Sequence, residues 1–433
     1  MKYFSRIQNL LDKYEIPIIF AILLIGLVIR LAVIITIEEP IDRDALEYYT
    51  IAKNLNEHHR FSIDGENPTI RRSPGYPFFL AFFMKIVGTN PNHLYTVQAL
   101  INILTIWIVY LALKQIGANA TIRIIAILLF TFNPSFIYVN TFYAEILTMF
   151  IMSLLIYLTI NQELFKNKNW NIILQGILIG VLALIRPTFL YLPIFILVVS
   201  LLIRIFFHNK KMKDALITAI IAILTLVPWT IRNRIIFNEW IPTESSSGLA
   251  LWQANLEIEN RTVWYSVTDI AKYEQQRTAS AELQSKLRSE YLQKYDINSL
   301  VELNQFLEQK AIEIILRHPI RYCILCVNRF LIFWFSPPIG STTLKAISPV
   351  IFVLALLFRY LITILGICGL WQFARRDFPA SFVLICLVVY LTILHSATHA
   401  IQRYFLPLIP LIYFALGYFL NNQKSLNRKG RQE

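Results

Sequence analysis

Asp42, Asp44 and Glu47 crowd together just past a long apolar stretch, and a lone acid, Glu145, opens a later one. A carboxylate beside a bilayer is costly unless it faces water, a partner or a substrate. Within hydrogen-bond reach of an acceptor hydroxyl, such a group can take its proton as the oxygen attacks an anomeric carbon. A solvated helix N-terminus, where acids complement the macrodipole, accounts for the first trio at least as well. Glu145, between two apolar stretches and after Asn133-Pro134-Ser135, is expected to face the interior of a helical bundle. The complementary cations are Arg71, Arg72, Arg186, Arg232, Arg234 and Arg403. All six fall at the predicted outer face, although positive charge normally accumulates inside. Guanidinium groups grip phosphate oxygens bidentately, so the set points to an anionic ligand. Any single one of them is equally explained by snorkelling to lipid phosphates or by pairing with Glu145 or Asp44.

These residues need a scaffold, and the composition says which kind. Of the 433 residues 56% are hydrophobic and 15% charged, against about a quarter charged in soluble domains. The net charge of +13 would suggest nucleic acid in a soluble protein. Here the basic residues flank apolar stretches, at Lys166 and Lys168, at Arg204, Lys210, Lys211 and Lys213, at Arg375 and Arg376, and at Lys424, Arg428, Lys429 and Arg431. That pattern marks cytoplasmic ends and argues against nucleic acid as a partner. The stretch from Ile16 to Ile37 is too long for a signal-peptide core and lacks a small-residue cleavage site, so it is expected to stay as the first span.

With the basic clusters inside, the chain reads as an all-α polytopic membrane protein of about 10–11 spans with both termini cytoplasmic. The expected spans are Ile16–Ile37, Leu94–Leu113, Ile122–Tyr138, Ile146–Ile160, Ile172–Ile185, Leu190–Phe207, Ala215–Ile231, Ile347–Trp371, Phe382–Leu394 and Tyr404–Leu420. Tyr322–Phe335 breaks this parity and is assigned as interfacial or re-entrant. Three parts follow. Residues 1–232 form an N-terminal transmembrane module whose first external loop, 38–77, carries the catalytic candidates. Residues 233–319 form an external loop with amphipathic helices, and residues 320–433 hold the C-terminal spans and a basic tail. In the first loop Ala45, Tyr48, Ala52 and Leu55 recur at helical spacing. A helix pair is expected over Thr268–Leu316.

Pro74-Gly75-Tyr76-Pro77, Pro228-Trp229, Trp252, Trp264, and Trp334 with Pro337-Pro338 all fall near the outer interface, where aromatic belts explain many of them. His395 and His399 are one turn apart, as are metal ligands, but no third ligand is evident, and ring stacking or a polar lining is the simpler expectation; His58 and His59 add none. Cys323, Cys326, Cys368 and Cys386 sit in apolar surroundings and read as packing residues.

The segments DRDALEYYTIAKNL, RRSPGYPFFLAFF, NPSFIYVNTFYAEIL, GILIGVLALIRP, PWTIRNRIIFNEWIPTESSSGLALWQAN and QRYFLPLIPL occur in that order. Together they resemble the GT-C-type glycosyltransferases, the group of protein O-mannosyltransferases and lipid A aminoarabinose transferases also described as glycosyltransferase family thirty-nine. The resemblance covers most of the chain. It implies a GT-C fold with amphipathic juxtamembrane helices and an active site at the outer face of a plasma (inner) membrane. It also implies transfer of a sugar from a polyprenyl-phosphate donor, with inversion, to a lipid, glycan or protein acceptor. By the same resemblance Asp44 matches the catalytic acid and Glu145 the acid that opens the span after the Asn-Pro motif. Arg72, Arg232 and Arg403 match donor-phosphate positions, and Tyr76, Arg186 and Asn233 match substrate-binding positions, with Glu47 and Asp42 close enough to Asp44 to compete with it. No cofactor is required, a divalent cation is not indicated, and no metal ligand is assigned. The sequence as it stands lacks the large soluble C-terminal domain of some relatives, which leaves the acceptor open. Two other readings share the composition and the arginines: a transporter or flippase of a lipid-linked sugar, and an envelope glycan polymerase or ligase. A transporter is expected to show broken helices in symmetric halves, whereas here the polar residues crowd one face.

Overall fold

The computed structural model describes residues 2–162, 164–165, 167–259, 285–291, 299–337, 345 and 348–429. Trp264, Pro338 and much of the expected helix pair over 268–316 lie outside them. Among the described residues the chain is helical, and the one β contact is a bridge between Ser62 and Pro68.

The elements in chain order are α1 (Lys2–Thr36), α2 (Arg43–Glu57), α3 (Gly75–Val87), α4 (Pro91–Gln115), α5 (Ala120–Thr131), a 3-10 turn over Pro134–Asn140 and α6 (Glu145–Ile160). Then come α7 (Lys168–Ile185), α8 (Leu192–Phe206), α9 (Lys213–Phe237), α10 (Ser247–Glu259), α11 (Leu300–Arg317) and α12 (Pro319–Phe335). The chain closes with α13 (Pro349–Arg376), α14 (Phe378–Ala397), a 3-10 stretch Gln402–Leu408 and α15 (Ile409–Lys429). Among the described residues eight helices are long and apolar enough to cross a membrane. A ninth span forms if α5 and Pro134–Asn140, bent by 49°, count as one. The bend falls at Asn133-Pro134, where proline cannot supply the next helical N–H. The Asn133 side chain fills the gap, accepting from the Ser135 N–H at 3.0 Å and donating to the Tyr413 hydroxyl at 3.0 Å. Helix α6 has only 16 residues, yet Ile146, Met149, Met152, Leu155 and Ile156 are all buried, so it runs through the middle of the bundle.

The spans pack closely where side chains are small. A Cβ on Gly176 or Gly180 of α7 would meet α9 within 3 Å, and one on Gly369 of α13 would lie 1.9 Å from the Ala415 carbonyl of α15. Lipid supplies no hydrophobic drive between helices, so such close backbone approach carries much of the association.

Two segments take a form the sequence reading left open. Gly75–Val87, within the stretch between the first two expected spans, is helix α3. Its exposed residues Phe78, Phe82 and Ile86 recur every fourth position, an apolar stripe on one face, while Tyr76, Leu80 and Met84 are buried. Tyr322–Phe335 lies within α12, which packs beside α10, α11 and α14. The buried Arg329 ties these together, donating to the Ala254 carbonyl at 2.7 Å and the Ala397 carbonyl at 3.1 Å. Trp252, Leu256, Leu303, Leu307 and Leu325 form a second, smaller apolar core there.

Helix α7 gives the bundle its two ends. Lys168 opens it, and Arg186 follows its last residue, roughly 27 Å away at the rise of an α-helix. Lys168, Lys210, Lys211 and Lys213 line a cavity of about 570 Å³ where α7, α9 and α14 begin. The acids and arginines singled out above gather at the other end.

Candidate active site

Asp44 lies in the first turn of α2. The residue before it, Arg43, adopts φ +46°, a conformation that costs a non-glycine residue about 1 kcal/mol. That turn aims Asp44 at two arginines from distant parts of the chain. One carboxylate oxygen accepts from Arg72 Nη2 at 2.6 Å and the other from Arg403 Nη2 at 2.9 Å. Arg72 also donates through Nε to Glu47, one turn further along α2, and Glu47 pairs with Arg71 at 2.8 Å. Burial by itself would raise the Asp44 carboxyl, but the guanidinium groups of Arg72 and Arg403 outweigh it and hold the group below its ordinary value. The carboxylate is therefore ionised at neutral pH.

A second carboxylate closes the cluster from below. Glu145, at the start of α6 and 3% exposed as a side chain, accepts from Arg186 Nη1 at 3.0 Å and lies 3.8 Å from Arg403 Nε. Arg403 Nε is buried and has no hydrogen-bond partner. Arg403 rests over the Tyr143 ring at 4.5 Å and Arg186 over Tyr404 at 5.5 Å. Each guanidinium is thus fixed by an acid and an aromatic face, with donor capacity to spare.

The loop carrying Arg71 and Arg72 is held from α9 and the segment after it. The Ser73 N–H and hydroxyl both donate to Glu244, at 2.7 and 2.9 Å, and the Ser245 N–H donates to the Ile70 carbonyl at 2.9 Å. At the start of α3, a Cβ on Gly75 would lie 2.8 Å from Ile185 Cγ1 and 3.0 Å from the Ile185 nitrogen. Glycine is what lets the loop sit against the backbone next to Arg186.

Similarity to known proteins follows this architecture. Residues 71–231 match the family described as dolichyl-phosphate-mannose-protein mannosyltransferase. The fold matches the apo oligosaccharyltransferase of Archaeoglobus fulgidus with a TM-score of 0.52 at 14% identity, over 97% of this chain and 52% of that one. It matches the same organism's AglB, in complex with an inhibitory peptide and a dolichol-phosphate, with a TM-score of 0.51 at 13% identity, over 96% and 51% of the two chains. The fold is that of the GT-C glycosyltransferases. ArnT from Cupriavidus metallidurans, bound to undecaprenyl phosphate, aligns with a TM-score of 0.41 at 13% identity, over 95% and 78%. No curated protein matches the chain by sequence. The chain spans about half the length of the archaeal oligosaccharyltransferases it matches.

Within this GT-C bundle the sequence candidates divide. Asp44, Glu47, Arg71, Arg72, Glu145, Arg186 and Arg403 form one connected network. Arg232 does not join it: among the described residues it forms no ion pair. It donates to the Thr69 carbonyl at 3.1 Å and to Asn233 Oδ1 at 2.8 Å, and lies over Trp229 at 4.5 Å. Its visible work is to hold the loop three residues before Arg72. Asn233 is fully buried and donates to the Ile241 carbonyl at 2.7 Å. Arg234 donates to the Asn238 carbonyl and stacks on Trp240, away from the cluster. The Tyr76 hydroxyl donates to Gln98 at 2.8 Å, and Gln98 in turn donates to the Thr141 carbonyl at 2.8 Å. His395 stacks on Phe333 and Tyr404, with centroids 5.2 and 4.6 Å away. Among the described residues no three His, Cys, Asp or Glu side chains come together as a metal site.

Gln98, Tyr143 and Glu244 belong to the site and were not singled out from the sequence. The signal for Gln98 is a polar side chain inside an otherwise apolar span. Glu244 sits in a polar stretch with no local mark of its partner, Ser73, 171 positions earlier.

Proposed function

We propose that this protein transfers a sugar from a polyprenyl-phosphate carrier to an acceptor hydroxyl on the extracytoplasmic side of the plasma membrane, with inversion. The observation that carries this reading is the Asp44 carboxylate gripped by Arg72 and Arg403. An arriving phosphate offers those guanidinium groups a more highly charged partner of matching geometry. As they turn to it, and as Arg403 Nε gains the acceptor it lacks, Asp44 is released toward the nucleophile. The hydroxyl oxygen then bonds to the anomeric carbon, the bond from that carbon to the phosphate oxygen breaks, and the proton passes to Asp44. Arg72 and Arg403 neutralise the departing phosphate.

Glu145 positions Arg186 and Arg403, Glu47 fixes Arg72, and Arg232, with Asn233 and Tyr76, secures the walls. The donor's phosphate ester supplies the driving force, so no nucleotide or other cofactor is called for. Sidedness rests on the lysine-rich opposite end, which the positive-inside bias assigns to the cytoplasm together with both termini. The test is to incubate the purified protein with radiolabelled polyprenyl-phosphate sugars and membrane extract. Covalent labelling of a lipid, glycan or protein supports transfer and names the acceptor class. Release of intact donor across a vesicle membrane without labelled product would overturn it.

A further inference from the structure

At the end of the bundle opposite the carboxylates lies the cavity of about 570 Å³, which has no part in the transfer step. The first turns of three helices line it, with Lys168 of α7, Lys213 and Asp214 of α9, and Ala380 of α14. Three helix N-termini thus direct partial positive charge into one space, and α9 begins without a capping side chain. Lys210 and Lys211, on the turn before α9, add two full charges. The acids of the wall are already engaged. Asp214 pairs with Lys168 at 2.7 Å, and Asp377 accepts from the Ala380 N–H at 3.1 Å. Among the described residues Lys210, Lys211 and Lys213 form no ion pair.

A second observation is independent of charge. Thr218, one turn past Asp214, also lines the cavity and is 2% exposed. The other two threonines of α9 donate to the carbonyl four residues back, Thr225 to Ile221 and Thr230 to Leu226, both at 2.9 Å. Among the described residues the Thr218 hydroxyl has no hydrogen-bond partner. A polar group so deeply placed is costly until something in the cavity completes it.

We propose that this cavity is a binding site for a phosphate group, gripped by Lys210, Lys211 and Lys213 and hydrogen-bonded by Thr218. Membrane orientation alone asks for basic side chains near span ends. It gives no reason for a cavity beneath them or for a buried hydroxyl left open. Two sources carry the chemistry, the headgroup of an anionic phospholipid and a soluble phosphate. Basic pockets between spans suit the headgroup. Trp170 and Phe378 are exposed next to the wall residues Asn171 and Pro379, which puts the cavity at the level of the lipid interface. A phosphate held there joins the starts of α7, α9 and α14, where the close contacts of Gly176 and Gly180 join α7 to α9 alone.

The test uses the full-length protein in detergent micelles, read by native mass spectrometry and thermal unfolding. The probes are dioleoylphosphatidylglycerol, dioleoylphosphatidylcholine and inorganic phosphate. Wild type should retain phosphatidylglycerol in preference to phosphatidylcholine. Lys211→Gln combined with Lys213→Gln should weaken that retention by roughly 25-fold, about 5-fold for each lysine near a membrane surface. Thr218→Val should weaken it by roughly 2- to 10-fold, the share of one hydrogen bond. Without ligand it should leave the unfolding temperature unchanged, because the hydroxyl has no partner to lose. Lys114→Gln, at the same end of the bundle but outside the cavity, controls for diffuse attraction and should change nothing. Phosphatidylglycerol retained in the presence of inorganic phosphate names the headgroup. Inorganic phosphate raising the unfolding temperature of the wild type and not of the lysine variant, with both lipids held alike, names a soluble phosphate. Failure of both probes to bind, retention unchanged in the lysine and Thr218 variants, or an equal loss in Lys114→Gln overturns the site. If the lysine variant fails to fold, Thr218→Val decides. None of these measurements reads labelled sugar product, so the site and the transferase stand or fall separately.

Discussion

Arg30 and Arg403 are both held inside the bundle, and their surroundings differ in kind. Arg30, in the C-terminal part of α1, is 1% exposed and bound by neutral groups alone, the Asn102 side chain at 2.8 Å and the carbonyls of Gly26 at 2.8 Å and Thr131 at 3.1 Å. It staples α1 to α4 and α5, and three carbonyl-type oxygens leave little room for another ligand. Arg403 is bound by two carboxylates, keeps an unused N–H, and shares Asp44 with Arg72. A structural cation is saturated by dipoles that cannot leave, while a working one is balanced by charges that a stronger anion can displace.

Substitutions should separate the two. Asp44→Asn is expected to lower transfer by about 10²- to 10⁴-fold, the usual share of a general base, with radiolabel incorporation as the measure and an unchanged gel-filtration profile. Glu145→Gln strikes both properties, since it leaves Arg186 buried beside a neutral group. Breaking such a pair costs about 3–5 kcal/mol, so thermal unfolding should drop together with transfer. Arg30→Met should do the reverse of Asp44→Asn. It orphans Asn102 and the Thr131 carbonyl, costs about 1–3 kcal/mol in unfolding, and leaves transfer per folded molecule unchanged. A full loss of transfer in Arg30→Met with normal stability would erase the distinction.

The smallest effect is in pH. The Asp44 carboxyl is depressed in the folded protein, so its contribution to stability is complete above the unfolded value of about 3.9 and is lost as pH falls through the lower folded value. Unfolding temperature should be insensitive to this group from pH 7 to 5 and fall below about pH 4. Asp44→Asn should remove that part of the acid limb.

The GT-C architecture was legible only through the resemblance of six ordered segments to that group, and the spans because lipid imposes a length and an apolarity that a sequence states outright. The charged residues at span ends were legible for the same reason. Their pairing was not: Asp44 and Arg403 are 359 positions apart, and only the fold that carries the Gln402–Leu408 stretch to the start of α2 brings them together. Arg232 shows the converse. In sequence it reads like the other outer-face arginines, but among the described residues no acid pairs with it, and the Thr69 carbonyl and three aromatic rings hold it instead. Helix α3 escaped because its apolar run, PFFLAFFMKIV, is too short to read as a span and follows a Pro-Gly that reads as a turn.

Gly75 carries one more implication. With no side chain there, the strip of chain bearing Arg72 presses directly on the backbone that leads into Arg186. The two guanidinium groups are therefore mounted on a single stiff ledge, and a ligand drawing on one tugs the other. Whatever give this end of the bundle possesses has to come from the opposite lip, where Arg403 rides on a 3-10 stretch between two spans.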